Sequence, residues 1–420
     1  MIIIDAVRTP FCRMGTDLAP LSAADLGRHA SVSLLARTGI DPAEISEVIF
    51  GCVAQPADAA NLARVIALRS GIPERVPAST VHRNCASGLE AITSAAERAA
   101  GGHGDLFLVG GVESMSRIPF LYHPATAAKY TALARAKSLG RKLRVVSTLR
   151  PRDFSPLVGL KLGLTDPITG LNMGETAEIL AREFEISREE QDAFAAESHL
   201  KALAARPALD TELAPVPVNG HAVRHDNGLR DDSTCERLAR LRPVFDRHCG
   251  TVTAGNSSQI TDGAVALLVA TEAKAAQLGV NPLGRLCGYA YTGCDPKRMG
   301  LGPVLATAKL LADLRHHPAD ADVIEINEAF AAQVLAVLKA FRDPKAAARA
   351  GLDHPLGDIP RDRLNPRGGA IALGHPVGAT GARLVQTALA QLKESGGRAA
   401  LATLCVGGGQ GAAMWLESLN

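Results

Sequence analysis

Cys85 stands where an extended run, VPASTVH (76–82), meets a helical pattern that opens with Ala86, Ser87 and Gly88. A sulfur at such a corner faces the unpaired N–H groups and positive end of the helix, which favour thiolate over thiol. Small neighbours leave it approachable. A lone cysteine is more often a packing residue, so this motif alone leaves nucleophile and core filler both open.

Three further stretches carry reactive types. In NPRGGAIALGHPVGATGARL (365–384), Gly374 and Pro376 hold His375 in an extended segment, and Gly378, Ala379, Thr380 and Gly381 open a second helix without bulky side chains. An imidazole among glycines, where substrate can come close, suits a general base. Glycines before a helix also suit phosphate, but the spacing departs from the dinucleotide fingerprint. In ATLCVGGGQGAA (402–413), Cys405 ends an apolar strand soon followed by three glycines, whose backbone can point N–H groups at a developing oxyanion. The plainer reading is a strand end with a flexible turn. Cys405 suits acid–base work better than metal binding, because no compact ligand cluster surrounds it. Asn327, in INEAF (326–330), sits at a strand-to-helix junction and reads first as an N-cap. Its amide is also able to orient a water or hold an oxyanion.

The elements that position these residues alternate. Strand-like VIF (48–50), DLFLVG (105–110), DVIEI (322–326) and ALATLCV (400–406) are interleaved with helical Gly88–Ala100, Ala329–Phe341 and Gly378–Lys393. Such alternation predicts a layered α/β protein. A weak repeat pairs EISEVIFGCV (44–53) with DADVIEINEAF (320–330), and DLFLVGGVESM (105–115) with AALATLCVGGGQG (399–411). Two similar halves flanking a central insertion are the expectation.

Composition narrows the class. With 420 residues, two or three domains are expected. An apolar fraction of 47% supplies a large core, and 21% charged residues argue against wholesale disorder. Lys plus Arg exceed Asp plus Glu by 45 − 43 = 2, so no global field points to nucleic acid. Eight cysteines without CxxC or CxxH spacing suggest neither a disulfide scaffold nor zinc. The opening MIIIDAVRTPF lacks the pattern of a signal peptide, and no stretch reaches the roughly 20 apolar residues of a membrane span. A cytoplasmic, reducing location is the expectation.

Taken together, NCASG, GNSSQITDGA (255–264), NEAF, GGAIALGHPVGATGAR and CVGGGQG, with the opening VRTPF and MGETAE (173–178), resemble the thiolase family over essentially the whole chain. The resemblance implies a thiolase fold: two βαβαβαββ halves in a five-layered αβαβα core with an inserted loop domain. The expected division is 1–116 with 243–270 for the first half, 117–242 for the insertion, and 271–420 for the second half. By motif, Cys85 matches the acyl-carrying nucleophile, His375 its base, Cys405 the second acid/base, and Asn327 the holder of an oxyanion water. The Gly407 and Cys85 N–H groups match a second oxyanion hole. Ser258, Met299 and Phe330 match the pantetheine site; Arg230 and Arg237 lie where the family contacts the nucleotide of CoA. No cofactor is implied, since coenzyme A enters as a substrate. A homodimer or homotetramer is implied, with acyl-CoA and CoA as ligands.

Asn172 stands where biosynthetic members tend to carry His, and DNGLRDDSTCERLARLRPVF (226–245) looks more like the thiolases of fatty-acid β-oxidation. Degradative cleavage of 3-ketoacyl-CoA is therefore the leading expectation, and acetoacetyl-CoA synthesis the alternative. Between Arg117 and Lys161 the chain carries ten basic residues (Arg117, Lys129, Arg135, Lys137, Arg141, Lys142, Arg144, Arg150, Arg152, Lys161) and one acid, Asp153. That insertion reads as a solvated face or as a patch for anionic ligands, a multienzyme partner or a membrane surface. Two other classes compete: a thiol redox protein using Cys85 and Cys405, and a non-catalytic acyl-CoA carrier. Neither gives a role to His375 or Asn327.

Overall fold

The computed structural model describes residues 1–419. The first half alternates strand and helix: β1 (Ile2–Arg8), α1 (Ala23–Thr38), β2 (Glu47–Gly51), α2 (Leu62–Arg69), β3 (Ala78–Val81), α3 (Ser87–Ala100) and β4 (Leu106–Glu113). A long excursion follows, with α4 (Pro124–Arg135), α5 (Leu139–Val146) and α6 (Met173–Glu183), before β5 (Thr261–Ala270) returns antiparallel to β4. The second half runs β6 (Gly284–Gly293), α7 (Gly302–Leu314), β7 (Val323–Ile326), α8 (Ala331–Arg342), α9 (Val377–Ser395), β8 (Ala399–Val406) and β9 (Gln410–Glu417).

Both halves use one pairing scheme. In the first, β2 is parallel to β3 and β4, β4 is antiparallel to β5, and β5 to β1. In the second, β7 is parallel to β8, β8 is antiparallel to β9, and β9 to β6. The counterpart of β3 shrinks to one parallel bridge, Ile324 to Leu364. The order β7-β8-β9-β6-β1-β5-β4-β2-β3 joins the halves edge to edge, through Ile2–Arg285 and Ile3–Gly284. The repeat seen in the sequence is thus structural: its first pair supplies β2 and β7, its second β4 and β8.

Side chains alternate faces along a strand, and that alternation sorts the core into layers. Ile2, Ile4, Val48, Phe50, Leu106 and Leu108 face α1 and α2. Their neighbours Ile3, Ile49, Phe107 and Val109 turn toward α3 and α9, where Ala402, Leu404 and Met414 of the second sheet meet them. Leu401, Ala413 and Trp415 face α7 and α8 on the far side. The result is helix, sheet, helix, sheet, helix. Each fully buried Leu, Ile or Phe contributes roughly 1.5–3 kcal/mol.

The middle layer explains the surplus of glycine over aromatics. A Cβ on Gly88 would lie 2.6 Å from the Ala382 amide nitrogen, and one on Gly381 would lie 2.8 Å from that of Leu89. Glycine therefore lets α3 and α9 cross near their starts, where Cys85 and His375 reside. Within this layer the buried Arg383 of α9 pairs with Glu325 of β7 at 2.7 Å, and Gln391 donates to the same carboxylate at 2.8 Å. Removing one partner of such a pair costs about 3–5 kcal/mol.

The basic stretch 117–161 contributes little to these layers. Helix α5 buries none of its side chains, and Leu139, Leu143 and Val146 stand exposed beside Arg141, Lys142 and Arg144. The single acid, Asp153, is buried and already taken: it accepts from Lys129 at 2.6 Å and Thr126 at 2.9 Å.

Candidate active site

Cys85, Asn327 and Cys405 all lie at carboxyl ends of parallel strands, the usual place for ligands in open α/β sheets. Cys85 sits between β3 and α3 in a tight corner. Asn84 takes a left-handed conformation (φ 43°), the Ser87 hydroxyl donates to the Asn84 carbonyl at 2.7 Å, and the Arg83 N–H donates to Ser87 at 2.9 Å. This corner turns Asn84 toward the second half, where its Nδ2 donates to the Gly407 carbonyl at 2.6 Å.

Burial raises the Cys85 thiol above its ordinary pKa; backbone N–H groups pull it down but do not win. The pull of the helix end toward thiolate, expected from the motif, does not prevail. Desolvation outweighs the helix end, and the nucleophile rests protonated. A base is needed.

His375 is the candidate base. Burial holds its pKa down at about 4, so the ring is neutral at physiological pH. The Thr380 hydroxyl donates to the Pro376 carbonyl at 3.0 Å and lies 2.6 Å from His375 Nδ1. With its one proton committed, that hydroxyl accepts from Nδ1–H, and Nε2 is left as the free lone pair. Nε2 is buried and has no partner.

Asn327 is not a helix cap, contrary to the first reading of its motif. The helix begins later: the N-cap of α8 is Phe330, in extended conformation. Asn327 is wholly buried, its backbone N–H donates to Thr403 at 3.0 Å, and both polar atoms of its side chain lack partners. An amide buried without partners costs about 1–3 kcal/mol, which suits a group whose partner arrives with substrate or water. Its neighbour Glu328 ties this segment to the one bearing His375, accepting from the Ile371 N–H at 3.2 Å and from Asn365 at 2.8 Å.

Cys405 is buried in an apolar cluster with Val252, Met299, Ala329 and Phe330, against which Met173 and Phe245 pack. Its thiol is pushed well up, first by burial and then by the neighbouring Cys85. It is a proton reservoir at rest. Phe245 meets Phe330 edge-on, ring centroids 6.0 Å apart, and the Ser258 N–H donates to Ala329 at 2.9 Å. Ser258, Met299 and Phe330 thus gather around Cys405. Arg230 and Arg237 do not join that cluster. The Arg230 N–H donates to His199 Nδ1 at 3.3 Å, and Arg237 is an exposed residue paired with Asp232.

Sequence reasoning missed several participants. Thr380 lies five residues beyond His375, where a hydroxyl partner for the imidazole was there to be sought. Glu113, fully buried at the end of β4, accepts from the N–H groups of Val53, Ala54 and Gly378 at 3.1, 2.9 and 3.0 Å, pinning the start of α9 beside His375. Asn172, noted only as a departure, caps α6: its side chain accepts from the Gly174 N–H at 3.0 Å, and Glu175 accepts from its own N–H. Met173 and Phe245 had no local signal at all.

The chain matches the thiolase N-terminal domain over residues 1–273 and the thiolase C-terminal domain over 280–418. It is 42% identical over 420 residues to a 3-ketoacyl-CoA thiolase of Pectobacterium atrosepticum, covering 99% of this chain and 95% of that protein. Among solved structures, the Bacillus anthracis acetyl-CoA acetyltransferase is similar with a TM-score of 0.86 at 37% identity, covering 100% of this chain and 98% of that one. Human mitochondrial 3-ketoacyl-CoA thiolase in complex with CoA is similar with a TM-score of 0.86 at 35% identity, covering 99% and 97%. With both domains matched in order over nearly its whole length, the chain belongs to the thiolase family of acyltransferases.

Proposed function

We propose that this chain cleaves 3-ketoacyl-CoA with coenzyme A, releasing acetyl-CoA and a shortened acyl-CoA through an acyl-Cys85 intermediate. The observation that carries the reading is the Cys85 corner bound to the turn that follows a second buried thiol, Cys405, through Asn84 Nδ2 donating to the Gly407 carbonyl at 2.6 Å. Nε2 of His375 takes the Cys85 proton, and the sulfur attacks the ketone carbon. The alkoxide sits against the Cys85 and Gly407 N–H groups. Its collapse breaks the bond to the α-carbon and leaves the electron pair in the acetyl-CoA enolate. A water on Asn327 and the protonated His375 face the enolate oxygen, and Cys405 gives the α-carbon its proton. The thiol of free CoA then attacks acyl-Cys85, its proton passing to the Cys405 thiolate, and Cys85 regains its own proton from His375. Two oxyanions at two steps call for two separate sets of donors.

The division into residues 1–116 with 243–270, 117–242 and 271–420 fits this scheme, the insertion lying outside the repeated strands. Ser258, Met299 and Phe330 would line the pantetheine, with Arg230 and Arg237 toward the nucleotide. A cytoplasmic homodimer or homotetramer fits eight free thiols and an edge strand, β3, whose half-buried side chains leave one side of the sheet open to a second copy. No helix among the described residues is long and apolar enough to cross a membrane. The exposed basic α5 is proposed to meet an anionic ligand, a partner subunit or a lipid surface.

Steady-state rates with acetoacetyl-CoA and 3-ketohexadecanoyl-CoA test the reading. The degradative assignment expects CoA-dependent cleavage of both and a higher kcat/KM for the longer chain. Turnover of acetoacetyl-CoA alone favours the biosynthetic alternative. No turnover of either by freshly reduced protein contradicts both.

A further inference from the structure

The residue before Cys85 holds a single glycine of the other half: Asn84 Nδ2 donates to the Gly407 carbonyl at 2.6 Å. Gly407 opens a run whose next two residues have positive φ (85° at Gly408 and 80° at Gly409), with Gly408 exposed. Such a backbone has few side-chain contacts to hold it. On one flank, a Cβ at Gly407 would lie 3.3 Å from the Met173 sulfur.

The second half contains another left-handed asparagine. Asn365 directly follows the lone Leu364 bridge, with φ 41°. Its amide stays within its own half: Oδ1 accepts from the Ile326 N–H at 2.8 Å, and Nδ2 donates to the Ile326 carbonyl at 3.0 Å and to Glu328 at 2.8 Å. Both corners therefore need a residue that tolerates the left-handed region, for which asparagine is favoured among non-glycine types. Only at Asn84 does the amide reach across to the other half.

Resting on the thiolase reading above, we propose that Asn84 is a positioning residue that sets where the Gly407 N–H points, and so fixes the oxyanion hole that Cys85 and Gly407 form between the halves. The left-handed corner and the amide contact are separable. Asn84→Gly keeps the conformation at no steric cost and deletes the donor. Asn84→Asp keeps shape and conformation but turns an acceptor toward the Gly407 carbonyl.

The test compares wild type with both variants in thiolytic cleavage of acetoacetyl-CoA, with thermal melting as a fold control. Both variants are expected to melt near wild type and lose about tenfold to a hundredfold in kcat, as a misplaced catalytic group does, with KM changing less than about threefold. An Asn84→Gly variant within about twofold of wild-type kcat overturns the proposal, as does loss of fold in both variants, which would make Asn84 scaffold. Wild-type protein without turnover would instead sink the thiolase reading itself and take the proposal with it.

Discussion

The two halves share a strand scheme yet supply different chemistry. The first contributes one reactive side chain, Cys85, on a corner that projects toward its neighbour. The second contributes His375, the buried thiol Cys405, the buried Asn327 and the turn at Gly407. At its left-handed turn Asn365 is buried and spends its amide on its own half, whereas at its left-handed turn Asn84 spends it across the interface.

That contrast is breakable, beginning where the effect is largest. Cys85→Ser should lower thiolysis by roughly ten-thousandfold or more, because a hydroxyl is far less acidic than a thiol and His375 cannot make it a nucleophile at neutral pH. Circular dichroism should show the fold intact. Cys405→Ser should instead divide the reaction. Cleavage and condensation should fall about a hundredfold to ten-thousandfold with loss of the proton carrier, while acetylation of Cys85 from acetyl-CoA, which passes through no enolate, largely survives. Equal loss in both half-reactions would make Cys405 structural.

Asn365→Gly probes the scaffold side. It keeps the left-handed φ but strips partners from Ile326 and Glu328, so urea denaturation should show about 2–4 kcal/mol lost, from unsatisfied buried groups. A loss below about 0.5 kcal/mol would remove the contrast between the two corners. The smallest effect is a shift along the pH axis. Since the folded protein holds the Cys85 thiol above its ordinary value of about 9, its thiolate fraction at any given pH is reduced. Iodoacetamide labelling of Cys85 should therefore keep climbing beyond that pH. Labelling that levels off well below it would show a resting thiolate.

How much of this was legible in the linear chain depended on whether the signal was local. Cys85, His375 and Cys405 could be read because each sits in a short glycine-rich junction whose composition exposes it. The two repeat pairs that became β2, β7, β4 and β8 could be read because apolar runs end in glycine. The partner of β3 could not, for it survives only as the Leu364 bridge. The burial that outweighs the helix end at Cys85 could not be read, because it arises only when the chain folds. Asn327 was misjudged because its helix starts three residues later than the motif implied. The Phe245–Phe330 contact beside Cys405, and the Asn84–Gly407 contact between halves, exist only once the five layers are assembled.

The central claim is that Cys85 carries the acyl group between two like halves. Peptide mass spectrometry after brief incubation of wild-type protein with acetyl-CoA tests it most directly. The account predicts a hydroxylamine-labile acetyl thioester on the peptide containing Cys85, discharged when free CoA is added and absent from Cys85→Ser. An acetyl group found on Cys405 or on another cysteine instead, or none on any cysteine of an enzyme that still turns over, would contradict it.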